Sequence, residues 1–522
     1  MKYGKLFNPL QTPQTMPIPG SNQVRNSAGA FVWTLDRWAV LDRFLILGSE
    51  SGTYYASPRA LTHENVSNVL GLIADHGEKV VERICEVSQA GRAAKNDAAV
   101  FTLAICASLG NDATRMAALN ALPNVCRTGT HLFLFAELCN GLRGWGRGLR
   151  RAIGNWYNAK PTDDLEYQAI KYKQREGWSH RDLLRLAHPV PATDTHKALY
   201  KWIVDGEQIE PLAQVEAMIR LQKSESAQDA AETIRLSRLP REAVPTELLK
   251  DAAVWDALLD QMPMTAMIRN LATMTRVGLL APGSAAAAKV MKELRNVDRL
   301  RRARVHPMAL LLAQRTYASG HGFKGSGRWV PVQSVVDALD EAFYKAFVNV
   351  EPTGLRYLLG VDVSGSMAWS VGDSGVSACE IATAMAMVTI ATEEAVTPMA
   401  FSDEFRPLPL SKRMRLDDAL GHTRNQNFGA TDCALPMKFA LQNRLKTDVF
   451  VVYTDNETWI GDIHPAQALE KYRQAMGIDA RLIVVAATAT EFSIADPNDA
   501  GMLDVVGFDA SVPAVMRQFI VG

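Results

Sequence analysis

The sequence predicts two parts, a long mainly α-helical region followed by a doubly wound α/β domain. Residues 60–350 show one amphipathic helical segment after another, whereas residues 351–522 alternate apolar strands with helices. The chain has 522 residues, which is more than one hydrophobic core usually supports. We therefore expect at least two domains of different fold class.

The amino terminus, MKYGKLFNPLQTPQTMPIPG, is polar and rich in proline. A secretory signal needs an apolar core that this segment lacks, and no later apolar stretch is long enough to span a bilayer. The six cysteines show no CxxC spacing, and several lie in apolar helical runs. This usage indicates buried free thiols in a reducing compartment, so we predict a cytoplasmic protein.

The helical region consists of short segments in series. NDAAVFTLAICASLG, NDATRMAALNALP and TGTHLFLFAELCNGLRG each begin with Asn, Asp or Thr and end with Gly or Pro, as capped helices do. No comparable alternating strand pattern occurs across these segments. The series predicts an α-solenoid of helix pairs, and an irregular helical bundle is the alternative.

The second part has five apolar strand candidates: YLLGVDV, TPMAFSD, DVFVVYTD, ARLIVVAAT and LDVVGFD. Near-continuous apolar strands separated by helices predict a parallel sheet that is covered on both faces. Pro352 and Gly354 interrupt the last helix of the first part. We place the boundary there, with a helical domain over residues 1–350 and an α/β domain over residues 351–522.

Oxygen-bearing side chains lie at the ends of two of these strands and in one separate loop. Asp362, Ser364 and Ser366 follow the first strand, Thr431 lies in GATD, and Asp455 ends a later strand. Because ligands of open α/β folds bind at the carboxyl ends of the strands, we expect the five to meet there. Hard oxygen ligands of this kind suit Mg²⁺ or another divalent cation. The alternative is that the two serines only cap the following helix.

This pattern resembles the metal-ion-dependent adhesion site of von Willebrand factor A domains, which combines DxSxS with a separate Thr and a separate Asp. All five positions are present, in that order. The resemblance implies that the C-terminal domain has the Rossmann-like fold of those domains and binds a divalent cation.

A net charge of zero conceals two parts of opposite sign. Residues 351–522 contain 13 Lys and Arg against 22 Asp and Glu, a net charge of −9, which leaves +9 for residues 1–350. A polyanion is therefore expected to bind the helical part. The densest basic stretch is residues 141–185, with ten Lys and Arg against five acids.

Within that stretch, KYKQREGWSHRDLLRLAHP combines cations with aromatic side chains that can stack on unpaired bases. The candidate RNA-binding residues are Lys171, Lys173, Arg175, His180, Arg181 and Arg185. The alternative is that Trp178 fills the core and His180 caps a helix. Upstream, GLRGWGRGLRRAIGNWY mixes arginines with tryptophans, which suits a single strand, or an exposed helix whose tryptophans face the core.

Several blocks in order resemble the TROVE family of Ro ribonucleoprotein autoantigens and their bacterial relatives. They are PIPGSNQVRNSAGAFVWTLDRW (17–38), RFLILGSESGTYY (43–55), KYKQREGWSHRDLLRLAHP (171–189), MPMTAMIRNLATMT (262–275) and RVHPMALLLAQRTYASGHGFKGSGRW (304–329). The resemblance implies a ring-shaped α-solenoid of HEAT-like repeats, closed by a von Willebrand factor A domain. It also places His180 at an RNA surface.

The same resemblance implies that small noncoding Y RNAs bind the outer surface and that single-stranded ends of misfolded RNAs enter the central hole. A partner exoribonuclease, polynucleotide phosphorylase, is implied for bacterial relatives. The chain shows no HExxH motif and no Ser-His-Asp set or acidic two-metal cluster. We therefore expect a monomeric, non-catalytic RNA-binding scaffold. The alternative is a magnesium-dependent protein-interaction adaptor with no RNA role.

Overall fold

The computed structural model describes residues 11–49, 58–322, 327–347, 351–369, 376–424, 429–509 and 511–521. Helices form most of the first part, as predicted. They are Arg37–Leu47, Pro58–Ala90, Asp97–Leu109, Asp112–Val125, Gly129–Leu142, Arg147–Asn158, Thr162–Lys171, His180–Ala187, Asp194–Asp205, Ala213–Gln222, Ala227–Leu236, Ala252–Gln261, Met264–Arg276, Ala285–Leu294, Val297–Arg302, Pro307–Ser319 and Gln333–Lys345.

Polar side chains start many of these helices, which is why the segments are short and sharply bounded. Asn111, Thr128 and Ser179 each accept a hydrogen bond from a backbone N–H in the first turn. Such caps satisfy amide groups that have no partner inside the helix. None of the described helices is long and apolar enough to cross a membrane.

The early and late helices of the series meet. The Nε2 atom of His306 hydrogen-bonds the carbonyl oxygen of Arg92 at 3.1 Å, and Arg92 lies 3.4 Å from a carboxylate oxygen of Asp509 in the C-terminal domain. A cavity of about 760 Å³ lies between the two halves. The helices therefore return to their starting point, with the C-terminal domain at the closure, as the family resemblance implied.

The described part of the C-terminal domain forms one sheet from the strands β3 (Arg356–Asp362), β4 (Ala395–Phe401), β5 (Phe405–Pro407), β6 (Val449–Thr454), β7 (Arg481–Ala486) and β9 (Met502–Val506). Their order in the sheet is β5-β4-β3-β6-β7-β9. All pairings are parallel except that of β5, an antiparallel edge strand absent from the prediction. Its helices are Ala378–Thr392, Leu416–Arg424, Leu435–Gln442, Pro465–Met476 and Val512–Val521.

The apolar side chains of the sheet point into two cores. Leu359 and Val451 share one core with the later helices of the first part, whereas Leu358 and Phe450 face a second core on the other side. This alternation follows from the two-residue period of a strand. Both faces of the sheet are therefore covered, as predicted, and one of them joins the two domains.

Residues 11–34 pack on the C-terminal domain, which the predicted boundary did not anticipate. Strand β2 (Phe31–Thr34) pairs with β1 (Val24–Arg25) and with β8 (Phe492–Ser493), and Trp33 lies in the second core of the sheet. Arg43, 1% exposed, donates to both carboxylate oxygens of Asp504. Residues 11–34 thus complete the C-terminal domain instead of the helical series.

The predicted free thiols are confirmed. All six cysteines are unpaired, and five of them are buried. Burial raises the pKa of the Cys106 thiol to about 12, so this side chain is an uncharged packing group at neutral pH.

Candidate metal site and basic surface

Two neighbouring strands bring two acidic residues to the same edge of the sheet. β3 ends at Asp362, and β6, its parallel neighbour, ends just before Asp455. One carboxylate oxygen of Asp362 accepts the backbone N–H of Ser364 at 2.9 Å, and the other accepts the Thr454 hydroxyl at 2.6 Å. These bonds fix the Asp362 carboxylate at the strand end.

The two predicted serines lie beside these carboxylates. The hydroxyl oxygens of Ser364 and Ser366 are 3.2 Å apart, and Ser366 also hydrogen-bonds Asp455. Ser364 precedes a 3-10 turn but makes no side-chain capping bond, and the next α-helix is capped by Ser377 instead. The alternative that the two serines only cap a helix is therefore not supported.

The predicted threonine lies in a loop that packs on the segment following β6. Thr431 is 1% exposed, and its carbonyl oxygen accepts the N–H groups of Trp459 and Ile460 and the Thr458 hydroxyl. The five predicted ligand residues are all buried at the carboxyl edge of the sheet. Burial at this edge agrees with the expected placement, and metal binding by the five residues stays a prediction.

The electrostatics of this edge fit a divalent cation. Burial is the main cause that raises the pKa of Asp362, and the charge of the neighbouring Asp455 raises it further. Burial also raises the pKa of Asp455. Neither carboxylate forms an ion pair with a Lys or Arg of the described chain. Two buried like charges disfavour each other unless a proton or a cation lies between them. Carboxylate and hydroxyl oxygens form the donor set that Mg²⁺ prefers.

Two further residues at this edge escaped sequence reasoning. Glu457 is buried, and its carboxylate accepts a hydrogen bond from the backbone N–H of Ala28 at 3.0 Å. Burial, followed in size by the charge of Asp455, raises the pKa of Glu457 to about 7. Gln14, fully buried, donates to Asp432 at 2.7 Å and to the carbonyl oxygen of Ile463 at 2.9 Å. Its partners are more than 400 positions away, so no local pattern reveals them.

We expect Gln14→Ala to weaken Mg²⁺ binding by about tenfold, because groups that orient metal ligands typically contribute this much. Gln14 also accepts a hydrogen bond from the Thr458 hydroxyl, and the same hydroxyl bonds the backbone carbonyl of Thr431, a predicted ligand. Isothermal titration calorimetry measures the affinity. Gln11→Ala is the matched control, since Gln11 bonds the same domain through exposed Asp462. Equal affinity for the Gln14 variant and wild type would contradict this role.

The basic surface lies on two helices that touch each other, Arg147–Asn158 and His180–Ala187. Their exposed cations, which we call the arginine face, are Arg147, Arg150, Arg151, Arg181 and Arg185. Over the residues that the structure describes, none of the five forms an ion pair. The predicted Arg181 and Arg185 thus face solvent, and the upstream arginines extend the same surface.

The remaining predicted cations differ in their surroundings. Lys173 is exposed. Lys171 is half-buried, with its ammonium 5.1 Å from the ring centre of Tyr167. Arg175 lies 3.5 Å from Glu176, so part of its charge is already balanced. Lys173 is therefore the one of these three that is both exposed and without an ion pair among the described residues.

His180, which the resemblance places at an RNA surface, does not lie on the surface of this structure. His180 is 4% exposed, its Nδ1 atom hydrogen-bonds the Tyr157 hydroxyl at 2.7 Å, and its ring packs on Phe133 at 4.8 Å. Trp178 is also turned inward, where its indole N–H donates to Glu137. Because Tyr157 belongs to the other basic helix, buried His180 joins the two helices that carry the arginine face.

Acid is expected to destabilise the helical domain through His180. Burial lowers the pKa of His180 to about 4, whereas an unfolded histidine has a pKa of about 6.5. Between these values the unfolded chain binds more protons, so stability is complete above about pH 6.5 and is lost as the pH falls toward about 4. Thermal unfolding across this range measures the loss. His180→Asn, which does not titrate, should show a smaller loss, and an unchanged loss would contradict the assignment.

Comparison with known proteins gives two family matches that together cover most of the chain. A TROVE domain matches residues 24–239 and 213–319, and a Ro60 vWA domain matches residues 356–520. An RNA-binding protein RO60 of Caenorhabditis elegans is 39% identical over 98% of this chain and 92% of its own length. An RNA-binding protein RO60 of Deinococcus radiodurans is 42% identical over 99% of both chains. The crystal structure of the Deinococcus radiodurans RO (RSR) protein superposes with a TM-score of 0.71 at 42% identity, over 93% of this chain and 99% of that one.

Proposed function

Because this chain belongs to the Ro60 family, whose TROVE and vWA domains it contains in order, we propose that it is a non-catalytic RNA-binding protein of the Ro type. The observation that carries the proposal is the arginine face, an exposed basic surface whose five arginines form no ion pair within the described chain. Cations of this kind bind phosphates by releasing counterions, which gives affinity with little sequence choice.

The arginine face is suited to small structured noncoding RNAs of the Y type. Its two helices are held together by the Tyr157–His180 hydrogen bond, so the five guanidinium groups stand on one rigid scaffold. Arginine binds phosphate oxygens with two parallel N–H donors, which fixes the position of an RNA backbone as well as attracting it. Lys173 is a further exposed cation, in the loop that precedes the second of these helices.

The cavity between the two halves of the helical series is suited to single-stranded RNA ends. Its lining combines the partly exposed aromatic ring of Phe101 with the cationic side chains of Arg92 and Arg269. Unpaired bases stack on aromatic rings, and basic groups follow the backbone of a single strand. Misfolded or 3′-tailed RNAs are therefore the second class of ligand that we propose.

At the metal site, Asp362, Ser364, Ser366, Thr431 and Asp455 are the residues that would hold Mg²⁺. The bound cation would balance the two buried carboxylates and offer one coordination position to a ligand from outside. We further propose that the protein acts as a cytoplasmic monomer that presents RNA ends to an exoribonuclease such as polynucleotide phosphorylase.

The test uses full-length protein and a structured RNA with a single-stranded 3′ tail. The purified protein should show an A260/A280 ratio raised by bound RNA, and gel shifts at low salt should show a complex that weakens steeply as salt is added. If the protein ignores structured, tailed and single-stranded RNAs at low salt, RNA binding is refuted and the magnesium-dependent adaptor is favoured.

A further inference from the structure

Three separate parts of the chain meet where the helical series closes on itself. Arg92 follows helix Pro58–Ala90, His306 immediately precedes helix Pro307–Ser319, and Asp509 lies in the loop after β9. Arg92 and His306 are 214 positions apart, and His306 and Asp509 are buried. We call these three residues the seam. Its contacts decide whether the early and late helices stay joined.

The packing of apolar side chains is uneven around the series. The early helices share one core, and the late helices share another with the sheet. Helix Ala213–Gln222 belongs to both, with Val215 in the early core and Leu221 in the late one. Of the described residues of the C-terminal domain, only Val506 lies in the early core. Polar interfaces within a chain permit relative motion that large apolar ones prevent, so the series is expected to part at the polar seam.

The two hydrogen bonds of His306 require its neutral imidazole. The Nε2 atom bonds the carbonyl oxygen of Arg92 at 3.1 Å, and the Nδ1 atom accepts the backbone N–H of Met308 at 3.1 Å, which caps helix Pro307–Ser319. A carbonyl oxygen can only accept and a backbone N–H can only donate, so Nε2 carries the proton and Nδ1 carries none. A second proton, on Nδ1, would replace the acceptor of the cap with a donor. One protonation state of His306 therefore both caps the late helix and holds the early one.

The surroundings of His306 oppose a second proton. Burial lowers the pKa of His306, and the nearby Asp509 and the bond to the Arg92 backbone only partly offset this lowering. The imidazole caps the positive end of a helix dipole, and Arg304 lies two positions before it. Asp509 is already engaged, because its Oδ1 atom accepts the N–H of Ser511 at 2.9 Å and its Oδ2 atom lies 3.4 Å from Nε of Arg92. His306 and Arg92 also line the cavity between the two halves, whose other charged residues are Lys95, Asp97, Arg175, Glu176 and Arg269.

Acid therefore weakens the seam. An opened seam would expose the imidazole of His306 to water, where a histidine has a pKa of about 6.5. Because burial places the pKa of His306 below this value, the closed form binds fewer protons than the open form in the interval between the two. The seam is expected to be fully closed above about pH 6.5 and to weaken as the pH falls below it.

We propose that the seam is an acid-sensitive latch, which opens the helical series so that an RNA strand without a free end can enter the cavity. While the latch is closed, a strand reaches the cavity only by threading one of its ends. Protonation of His306 breaks the cap of the late helix, and the charged ring moves into water and gives up its bond to Arg92. This inference rests on the RNA-binding cavity of the proposed function and adds its regulation.

Hydrogen exchange of the full-length protein, followed by mass spectrometry, tests the latch without RNA. After correction for the intrinsic pH dependence of exchange, residues 88–96 and 304–309 should exchange several times faster at about pH 5.5 than at about pH 7.5. His306→Asn can still cap the helix but does not titrate, so it should lose this difference. Acid loosening at His180 is common to both proteins and cancels in the comparison. His321→Ala, at an exposed histidine beyond the other end of the same helix, is the matched control and should behave as wild type.

Circular single-stranded RNA shows whether the open latch admits a strand. The protein is mixed with the circle at about pH 5.5 or at about pH 7.5, returned to neutral pH and washed with high salt. A circle enclosed by the reclosed series stays bound, whereas RNA held only by phosphate contacts dissociates. We expect severalfold higher retention of the circle after acid loading. The same RNA in linear form should be washed away, and His306→Asn should retain no more circle after acid loading than after neutral loading.

The two measurements fail separately. If the exchange of the seam segments is independent of pH, or if His306→Asn keeps the dependence, the latch is refuted whatever RNA does. If the seam responds to acid but circles are retained equally after acid and neutral loading, while linear RNA binds before the wash, entry of strands through the seam is refuted. If neither form of RNA binds at low salt, the proposed function fails and RNA entry fails with it, and hydrogen exchange still decides whether the latch exists.

Discussion

Asp362→Ala is expected to abolish Mg²⁺ binding while leaving RNA affinity within about twofold of wild type. Asp362 carries one of the two buried charges that would balance the cation, and its oxygens are already oriented by Ser364 and Thr454. Without it, one carboxylate and three hydroxyls remain, a donor set too weak to dehydrate Mg²⁺. RNA binding should persist because the arginine face lies in the other domain.

Thermal unfolding provides a second measurement of the same variant. At a free Mg²⁺ concentration one hundred times the dissociation constant, binding stabilises the wild-type fold by about 2.7 kcal/mol, and the variant should gain nothing. With chelator instead of Mg²⁺, Asp362→Asn should unfold no earlier than wild type, because it removes the repulsion between two buried carboxylates while keeping the side-chain shape.

Asp403→Ala is the matched control for this experiment, since Asp403 is an exposed acid directly after β4, the strand beside β3. It should retain both Mg²⁺ and RNA binding. Loss of RNA affinity as severe as the loss of Mg²⁺ affinity in Asp362→Ala would contradict the division of labour between the two domains.

The positions of the predicted metal ligands could be anticipated because they follow from local rules. Continuous apolar runs identify strands buried on both faces, and the residue after a strand end must lie at the carboxyl edge of the sheet. Asp362 and Asp455 therefore had to approach each other once β3 and β6 were neighbours. The helical series was predictable for a similar reason, because capping residues and apolar periodicity are read over a few positions.

The residues whose positions were not predicted depend on contacts between distant parts of the chain. Strands β1 and β2 have two and four residues, too few to show a period, and they form because β8 supplies a partner. His180 looked like a surface histidine in a basic segment. It is buried because Tyr157, 23 positions earlier, offers its hydroxyl. Neither partner could be deduced from the neighbouring sequence.

Neutralising the arginine face is expected to have the largest effect on RNA binding. Arg181→Gln with Arg185→Gln should lower the slope of log affinity against log salt by about 2, because each lost phosphate contact removes about one released counterion. Adding Arg147→Gln, Arg150→Gln and Arg151→Gln should lower it further and weaken binding by about a hundredfold or more at low salt. Gel shifts across a salt series with one structured RNA measure both quantities.

The arginine-face substitutions should leave the fold intact, because all five side chains are exposed and none forms an ion pair within the described residues. Arg301→Gln with Arg302→Gln is the charge-matched control, since both are exposed on a helix of the other half of the series. The control should keep the wild-type salt slope. If it lowers the slope as much as Arg181→Gln with Arg185→Gln does, the protein attracts RNA through its overall charge. A defined RNA site loses salt dependence only when its own arginines are replaced, whereas attraction by overall charge weakens with any arginine that is removed. The comparison of the two salt slopes, and not the loss of affinity alone, therefore decides whether the two joined helices are the RNA site.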